Sequence, residues 1–337
     1  MADKMHGFGL GVISENAKGA ILDVFYPTPL GDVTGPLSDA LSGVCGRLDR
    51  SDLKTLANNA RSAGDEALAA LADRLSKSPV SVVASSLAAN VAPVSVEDAY
   101  LKLHMLSHRL VKPHGTDLTG VFGLLPNVAW TDEGPIDLSE LAERQLSARL
   151  KGKVLEVASV DKFPKMTNYV VPEGVRIAHS ARVRLGAYLG AGTTVMHEGF
   201  INFNAGTAGP GMVEGRISAG VMVGKGSDLG GGCSTMGTLS GGGNMIISVG
   251  EECLIGANAG LGIPLGDRCT VEAGLFITAG TKVTVLDDAK QAVETTAARY
   301  LAGRSDLLFR RNSQSGSVEC LTNKTAIELN ESLHAHN

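Results

Sequence analysis

Aromatic residues make up only 4% of the 337 positions, and there is a single Trp. Layered cores are normally filled with Phe, Tyr and Trp, so this scarcity points to an interior of aliphatic and small side chains. No charge of one sign dominates either: the net charge is −5, and Lys and Arg are scattered. A nucleic-acid partner would need a basic stripe, which is absent. No apolar run reaches the roughly 18 residues of a membrane span. The start, Met1-Ala2-Asp3-Lys4, lacks a signal-peptide core. The five cysteines (Cys45, Cys233, Cys253, Cys269, Cys320) form no C-x-x-C pair, which reads as reduced thiols rather than a disulfide frame or a zinc site. No phosphate-loop motif occurs, which removes nucleotide hydrolysis. The expectation is a soluble, cytoplasmic protein with no nucleic-acid and no membrane partner.

Glycine, by contrast, is abundant at 42 residues, without the G-X-Y period of collagen. Residues 1–30 alternate apolar and small side chains, as in Gly9-Leu10-Gly11-Val12-Ile13, and predict one or two strands. Gly7-x-Gly9-x-Gly11 has the wrong spacing for a dinucleotide fingerprint and reads as tight turns. From Ser51 the period becomes helical. Leu53, Leu56, Ala57 and Ala60 form one face, Leu68, Leu71, Ala72 and Leu75 another, and Gly64 divides them into a helical hairpin. Ser95-Val96-Glu97-Asp98 resembles a capping box opening a third helix that ends near Pro113. His104 and His108 share its i, i+4 spacing but lack the glutamate of a zinc protease, so a packed helix face is the better reading.

A different period begins at Val171. Val171, Ile177, Val183, Leu189, Val195 and Ile201 fall at six-residue steps; Ile217, Val223 and Leu229 repeat the step, then Val249, Ile255 and Leu261, then Leu265, Val271, Ile277 and Val283. Leu189, Val223, Leu229, Val249, Ile255, Leu261 and Leu265 are each followed by Gly. Neither a helix nor an ordinary strand gives a step of six. A triangular solenoid does: each hexapeptide is a short strand plus a corner, with an aliphatic residue pointing inward and small residues at the corners. The stretches 202–211 and 230–243 break the register and read as loops on one face. Beyond Val283, the charged, Ala-rich stretch 287–303 looks helical, and Leu307-Leu308-Phe309 and Ser317–Leu321 predict two capping strands. The fold class is mainly β: a left-handed parallel β-helix (151–285) between an N-terminal α/β domain (1–150) and a small C-terminal helix/strand cap (286–337).

Hexapeptide solenoids of this kind resemble the hexapeptide acyltransferase superfamily. Longer strings narrow the resemblance. They are His197-Glu198-Gly199-Phe200-Ile201-Asn202-Phe203-Asn204-Ala205-Gly206, Met212-Val213-Glu214-Gly215-Arg216-Ile217-Ser218, Met236-Gly237-Thr238-Leu239-Ser240-Gly241-Gly242-Gly243 and Phe309-Arg310-Arg311-Asn312-Ser313. With Gly256-Ala257-Asn258 they are similar to the tetrahydrodipicolinate N-succinyltransferase family in its longer-chain branch. The resemblance implies a homotrimer that moves succinyl from succinyl-CoA to the amino group of ring-opened tetrahydrodipicolinate, in diaminopimelate and lysine biosynthesis. Such chemistry needs a base or nucleophile, donors for the thioester oxyanion, and cations for carboxylates. Glu214 matches the family's catalytic glutamate, as acyl-anhydride former or general base, and Gly237 matches a second position tied to activity. Arg216, Gly231, Ser234, Ala257, Glu272, Ala273, Gly280, Arg310, Arg311, Asn312 and Ser313 match succinyl-CoA positions.

Two positions depart from the family pattern. Family members can hold Mg2+ on the trimer axis with an Asp and a Glu from each subunit. The Glu matches Glu198, but the Asp position falls on Ala181, which leaves Glu198 as the candidate metal ligand. A family lysine that contacts CoA falls on Ala297, with Lys282 or Lys290 as substitutes. His179 and His197 are alternative bases. A carbonic-anhydrase-like metal site would need three histidines where the repeats offer these two. A hexapeptide acetyltransferase acting on another amine is the alternative enzyme, and a non-catalytic scaffold the alternative class.

Overall fold

The structure is a computed structural model that describes residues 4–237 and 245–322. It forms two compact units. One ends at Val111 and adds Gly115–Pro164 and Asn168–Val170; the other takes Lys112–His114, Lys165–Thr167 and the chain from Val171 onward.

In the first unit, Met5–Glu15 pairs antiparallel with Ile21–Phe25, Leu30–Val33 and Val82–Leu87, and Gly46–Leu48 pairs with Val82–Leu87. The glycines at 7, 9 and 11 lie inside the first strand and not in turns, which corrects the reading above. A Cβ on Gly9 would stand 2.6 Å from the Tyr26 ring, and one on Gly11 would stand 2.2 Å from the Phe25 carbonyl oxygen. Glycine at alternate positions keeps one strand face free of side chains so that Tyr26, Leu101 and Met105 can close on it.

The hairpin is present as the helices Arg50–Ser62 and Glu66–Leu75. Asp49 caps the first reciprocally with Asp52, Asp65 accepts from Leu68 N–H, and Gly64 turns between them at φ 88°. Leu53, Leu56 and Leu68 are buried against Phe8 and Leu10, each contributing roughly 2 kcal/mol of apolar burial. The third helix is Val96–Ser107, with Ser95 as its N-cap; Asp98, however, takes the Val94 N–H rather than closing the box. It stops at Ser107, short of Pro113. The unit runs past residue 150, because Val157–Asp161 pairs with Val128–Thr131 beside the helix Leu138–Leu150.

The second unit is a parallel β-helix. Its first coil is Arg176–Ile177, not Val171, which is 63% exposed. Val183, Leu189, Val195, Ile201, Ile217, Val223, Leu229, Ile255, Leu261, Val271, Ile277 and Val283 are all buried inward. Three parallel ladders hold the coils: Leu189↔Thr207↔Val223↔Val249, Ile177↔Val195↔Val213↔Leu229↔Ile255↔Val271, and Ile201↔Ile217 continuing through Thr235↔Leu261↔Ile277. Successive coils are eighteen residues long where the register is regular and sixteen where one side is shortened, as from Val213 to Leu229.

The break at 202–211 is therefore not a loop. Ala205–Thr207 and Gly211–Val213 are strands of the coil, and Thr207 takes an inward slot, its hydroxyl 2.6 Å from that of Thr193. A search for aliphatics alone passes over it. The actual lengthening lies between Thr235 and Val249, of which 238–244 fall outside the described residues, together with the matched string from Thr238 to Gly243.

Buried thiols belong to the same repeat. Ser227 Oγ, Cys253 Sγ and Cys269 Sγ donate to the carbonyls of Gly250, Gly266 and Arg304 at 2.7, 3.1 and 3.2 Å, tying corner to corner. The stretch 287–303 is not an α-helix. Ala292–Ala297 is a strand antiparallel to Lys282–Leu286, followed by a 3-10 turn at Ala298–Leu301. The β-branched Val293, Thr295 and Thr296 favour the extended chain, and the open solenoid edge supplies its partner. Leu307–Arg311 and Val318–Thr322 form the expected terminal strands; the first extends the ladder of Thr270–Val271.

Candidate active site

The inward register also fixes which side chains face out. Phe200, Arg216, Ser234, Gly260 and Phe276 each precede an inward residue, and they pair coil by coil along one outer face. Arg216 is exposed there, and its Nε and Nη2 donate to Ser234 Oγ at 3.2 and 2.8 Å. Among the described residues its side chain is thus tethered by a neutral group alone, and its positive charge stays available to an anion. Beside it opens a cleft of about 550 Å3, lined by Arg182, Glu198, Phe200, Arg216, Gly231 and Cys233 among others.

Glu214 stands at the corner before this face. Its N–H donates to Leu229 O at 2.8 Å and its carbonyl accepts from Gly232 N–H at 3.3 Å, so the backbone is clamped between coils. Among the described residues its carboxylate makes no hydrogen bond and no ion pair; Oε2 lies 3.5 Å from where a Cβ on Gly231 would stand. Arg216 bonds Ser234 rather than Glu214, so the two are not a closed surface pair. Cys233 offers no competing nucleophile, because burial pushes its thiol up to about 12.

Four of the matched positions align as one corner column running on from Glu214. Asn258 N–H donates to Gly231 O at 2.9 Å, Gly274 N–H to Ala257 O at 2.8 Å and Glu272 N–H to Phe309 O at 2.9 Å, while a Cβ on Gly256 would strike Ala273 N at 2.4 Å. Arg311 joins the column through its N–H, which donates to Glu272 Oε2 at 2.7 Å. Gly237 lies at the far end of the arginine face, near Ala219 and Ser218. Its N–H has no partner among the described residues. Gly280 stands apart, on the exposed turn after Phe276–Thr278.

The Arg310–Ser313 run divides in two. Arg310 and Asn312 turn toward the protein: both bond the buried Glu319 carboxylate, through Arg310 Nε at 2.9 Å and Asn312 Nδ2 at 2.8 Å. Asn312 and Arg310 together hold Glu319 below the usual carboxylate range. Asn312 Oδ1 also accepts from Gln314 and Ser315 N–H, which shapes the turn. Arg311 and Ser313 remain exposed. Lys282 sits directly opposite Ala297 in the antiparallel ladder, and opposed residues share a face.

Arg182 and Phe200 line the cleft without having been singled out from sequence. Phe200 was legible as the outward neighbour of Ile201. Arg182 carried no such signal, since it closes a 3-10 turn outside the strands.

The donor set at Glu198 does not fit a divalent cation. Oε2 accepts from Arg182 Nη2 at 3.2 Å and Oε1 lies 3.0 Å from His197 Nδ1. Ala181 brings no side-chain oxygen, and among the described residues no three metal-ligating side chains converge.

A parallel β-helix of six-residue steps, with a carboxylate unpartnered among the described residues and an arginine close by in sequence, is the architecture of the hexapeptide-repeat acyltransferases. Residues 125–165 match the family model described as tetrahydrodipicolinate N-succinyltransferase middle, and 246–279 the hexapeptide repeat of succinyl-transferase. The chain is 63% identical over 344 residues, covering 100% of both chains, to the 2,3,4,5-tetrahydropyridine-2,6-dicarboxylate N-succinyltransferase of Pseudomonas aeruginosa PAO1. It is 58% identical to the Vibrio cholerae protein of that name over 98% of both. A crystal structure from Campylobacter jejuni, provisionally assigned as a 2,3,4,5-tetrahydropyridine-2-carboxylate N-succinyltransferase, superposes with a TM-score of 0.86 at 34% identity, covering 96% of this chain and 94% of that one. The chain belongs to the 2,3,4,5-tetrahydropyridine-2,6-dicarboxylate N-succinyltransferase family.

Proposed function

We propose that this protein transfers succinyl from succinyl-CoA to the amino group of ring-opened tetrahydrodipicolinate, releasing CoA, in diaminopimelate and lysine biosynthesis. The observation that carries the reading is the Glu214 carboxylate, unpartnered among the described residues, beside an arginine that those residues leave without a counter-charge. Glu214 serves either as base for the attacking amine or as the nucleophile of an acyl anhydride; both roles need a carboxylate not already spent on a cation. Arg216, fixed by Ser234, takes a substrate carboxylate or a CoA phosphate. Gly237 N–H supplies a donor for the thioester oxyanion. Gly231, Ala257, Glu272, Ala273 and Gly280, with Arg311 and Ser313, give the small, flat and cationic surface along which CoA lies. Arg310 and Asn312 act there through the shape of their hairpin. Lys282 takes the place of the family lysine that falls on Ala297, from one strand across.

The solenoid is read as left-handed and the working protein as a cytoplasmic homotrimer, its acyl-CoA groove lying between neighbouring solenoids. The chain is read as an N-terminal α/β domain, a catalytic solenoid and a C-terminal cap, the described residues of the cap forming strands and a 3-10 turn. The test is CoA release from succinyl-CoA with tetrahydrodipicolinate. Saturable release that requires both substrates is expected. Turnover with acetyl-CoA and none with succinyl-CoA would replace this reading with an acetyltransferase.

A further inference from the structure

Glu198 is the residue through which the family resemblance would bring a divalent cation, yet in this chain it already has a cation of its own. Arg182 ends the short turn Ser180–Arg182, and the bridge Val183↔Ile201 sets that turn on the coil next to Glu198. Arg182 Nη2 donates to Glu198 Oε2 at 3.2 Å and Nη1 to the Glu198 carbonyl at 3.5 Å; His197 Nδ1 sits 3.0 Å from Oε1. The guanidinium therefore holds both the side chain and the backbone of this corner, and both carboxylate oxygens have a nitrogen at hydrogen-bond distance.

We infer that Arg182 is the built-in counter-cation of Glu198, and that this protein folds and assembles without a divalent ion at that position. Three features lead there. Arginine stays charged at any working pH, so the neutralisation is permanent. Mg2+ requires a near-octahedral oxygen shell at about 2.0–2.1 Å, whereas Ala181 contributes no carboxylate next to the pair. A metal seated on Oε2 would also press against the guanidinium, and two cations at such range repel. The Arg182–Glu198 pair lies within one chain. Only the placing of the pair near a subunit axis rests on the trimeric reading above, and nothing in it depends on the reaction.

Thermal unfolding, metal analysis and oligomer size of the full-length protein test this. The wild-type protein should carry no stoichiometric divalent metal after purification without chelator, and its Tm and oligomer size should not change between EDTA and Mg2+. Arg182→Gln should lower the Tm by about 2 °C and become Mg2+-responsive, because Glu198 is left without its cation. The double variant Arg182→Gln/Glu198→Gln should lose that response. Stoichiometric metal in the wild type, or a Tm that falls in EDTA and returns with Mg2+, overturns the inference. So does an Arg182→Gln protein whose Tm matches wild type with and without Mg2+. Loss of succinyl transfer with these readouts as expected would count against the proposed reaction alone.

Discussion

Glu214 and Gly231 meet across two coils: the carboxylate Oε2 lies 3.5 Å from the empty Cβ position of the glycine. Of the outer-face carboxylates, Glu198 is paired with Arg182 and Glu272 accepts the Arg311 N–H, whereas Glu214 has no partner among the described residues. Replacing it by Gln keeps the size and removes the base. Glu214→Gln should reduce kcat/KM for succinyl transfer by about 10²–10⁴ with an unchanged Tm. A variant within twofold of wild type in the CoA-release assay would dismiss Glu214 from the chemistry.

Neighbouring glycines should separate catalysis from folding. At Gly231 a methyl group fits, but it fills the space beneath the carboxylate, so Gly231→Ala should cost activity and leave thermal stability nearly intact. At Gly230 a Cβ would lie 2.8 Å from Ala257 N, against backbone that cannot retreat. Gly230→Ala should therefore lower the Tm clearly. Equal effects of both changes on Tm would show that the Gly231 position is structural.

Arg216 is exposed, and its guanidinium fork is held by Ser234. Arg216→Lys keeps the charge and loses the fork, and should raise KM for succinyl-CoA about tenfold with a smaller change in kcat. Ser234→Ala should shift KM in the same direction by less. Unaltered KM values for both substrates in steady-state kinetics would place the anion elsewhere.

The hairpin that ends the described chain depends on Glu319. Its carboxylate is held below the usual range by Asn312 and Arg310, so its contribution is complete above the ordinary carboxylate pKa near 4.5 and fades as pH falls below it. Glu319→Gln should lower the Tm at pH 7, and the gap to wild type should narrow on acidification toward pH 3. A constant gap across that range would mean the charge is not what matters.

A buried histidine of the first unit also loses stability on acidification, from a higher pH. His104 is fully buried, and desolvation takes its pKa down to about 3; its Nδ1 bonds Tyr100 O at 2.8 Å and its Nε2 accepts from Tyr26 N–H at 3.3 Å. A neutral buried imidazole gives its full stability above the unfolded value of 6.5, and that stability falls away as pH drops below it. Tm measured from pH 7.5 to 5 should therefore decline, and His104→Gln should flatten that decline. A wild-type Tm independent of pH over that interval would show that burial does not shift the imidazole from its unfolded value.

Much of the solenoid was legible because its physics is periodic. An inward slot every six residues has room for one medium side chain, so Val183, Leu189, Val195 and Ile201 announce the coil by spacing alone, and the outward Phe200, Arg216 and Ser234 follow from the same count. The count failed where a slot holds Thr207, whose hydroxyl is satisfied by Thr193, a partner fourteen residues away that no local pattern indicates. It failed again at 287–303, where an alanine-rich stretch became a strand because Lys282–Leu286 offered an open edge. Gly9 and Gly11 are demanded by a ring and a carbonyl brought up from residues 25 and 26, and Gly7 by the Met105 side chain, none of which local spacing shows.

The sequence by itself thus determined the architecture of the repeats and, through its polar, non-repeating strings, the candidates for the chemistry. Only the tertiary structure decided which of those candidates are free to act. Partnership is a property of space: Arg310 and Asn312 are committed to Glu319, and Glu198 to Arg182, whereas the Glu214 carboxylate faces Gly231 across the coils and has no partner among the described residues.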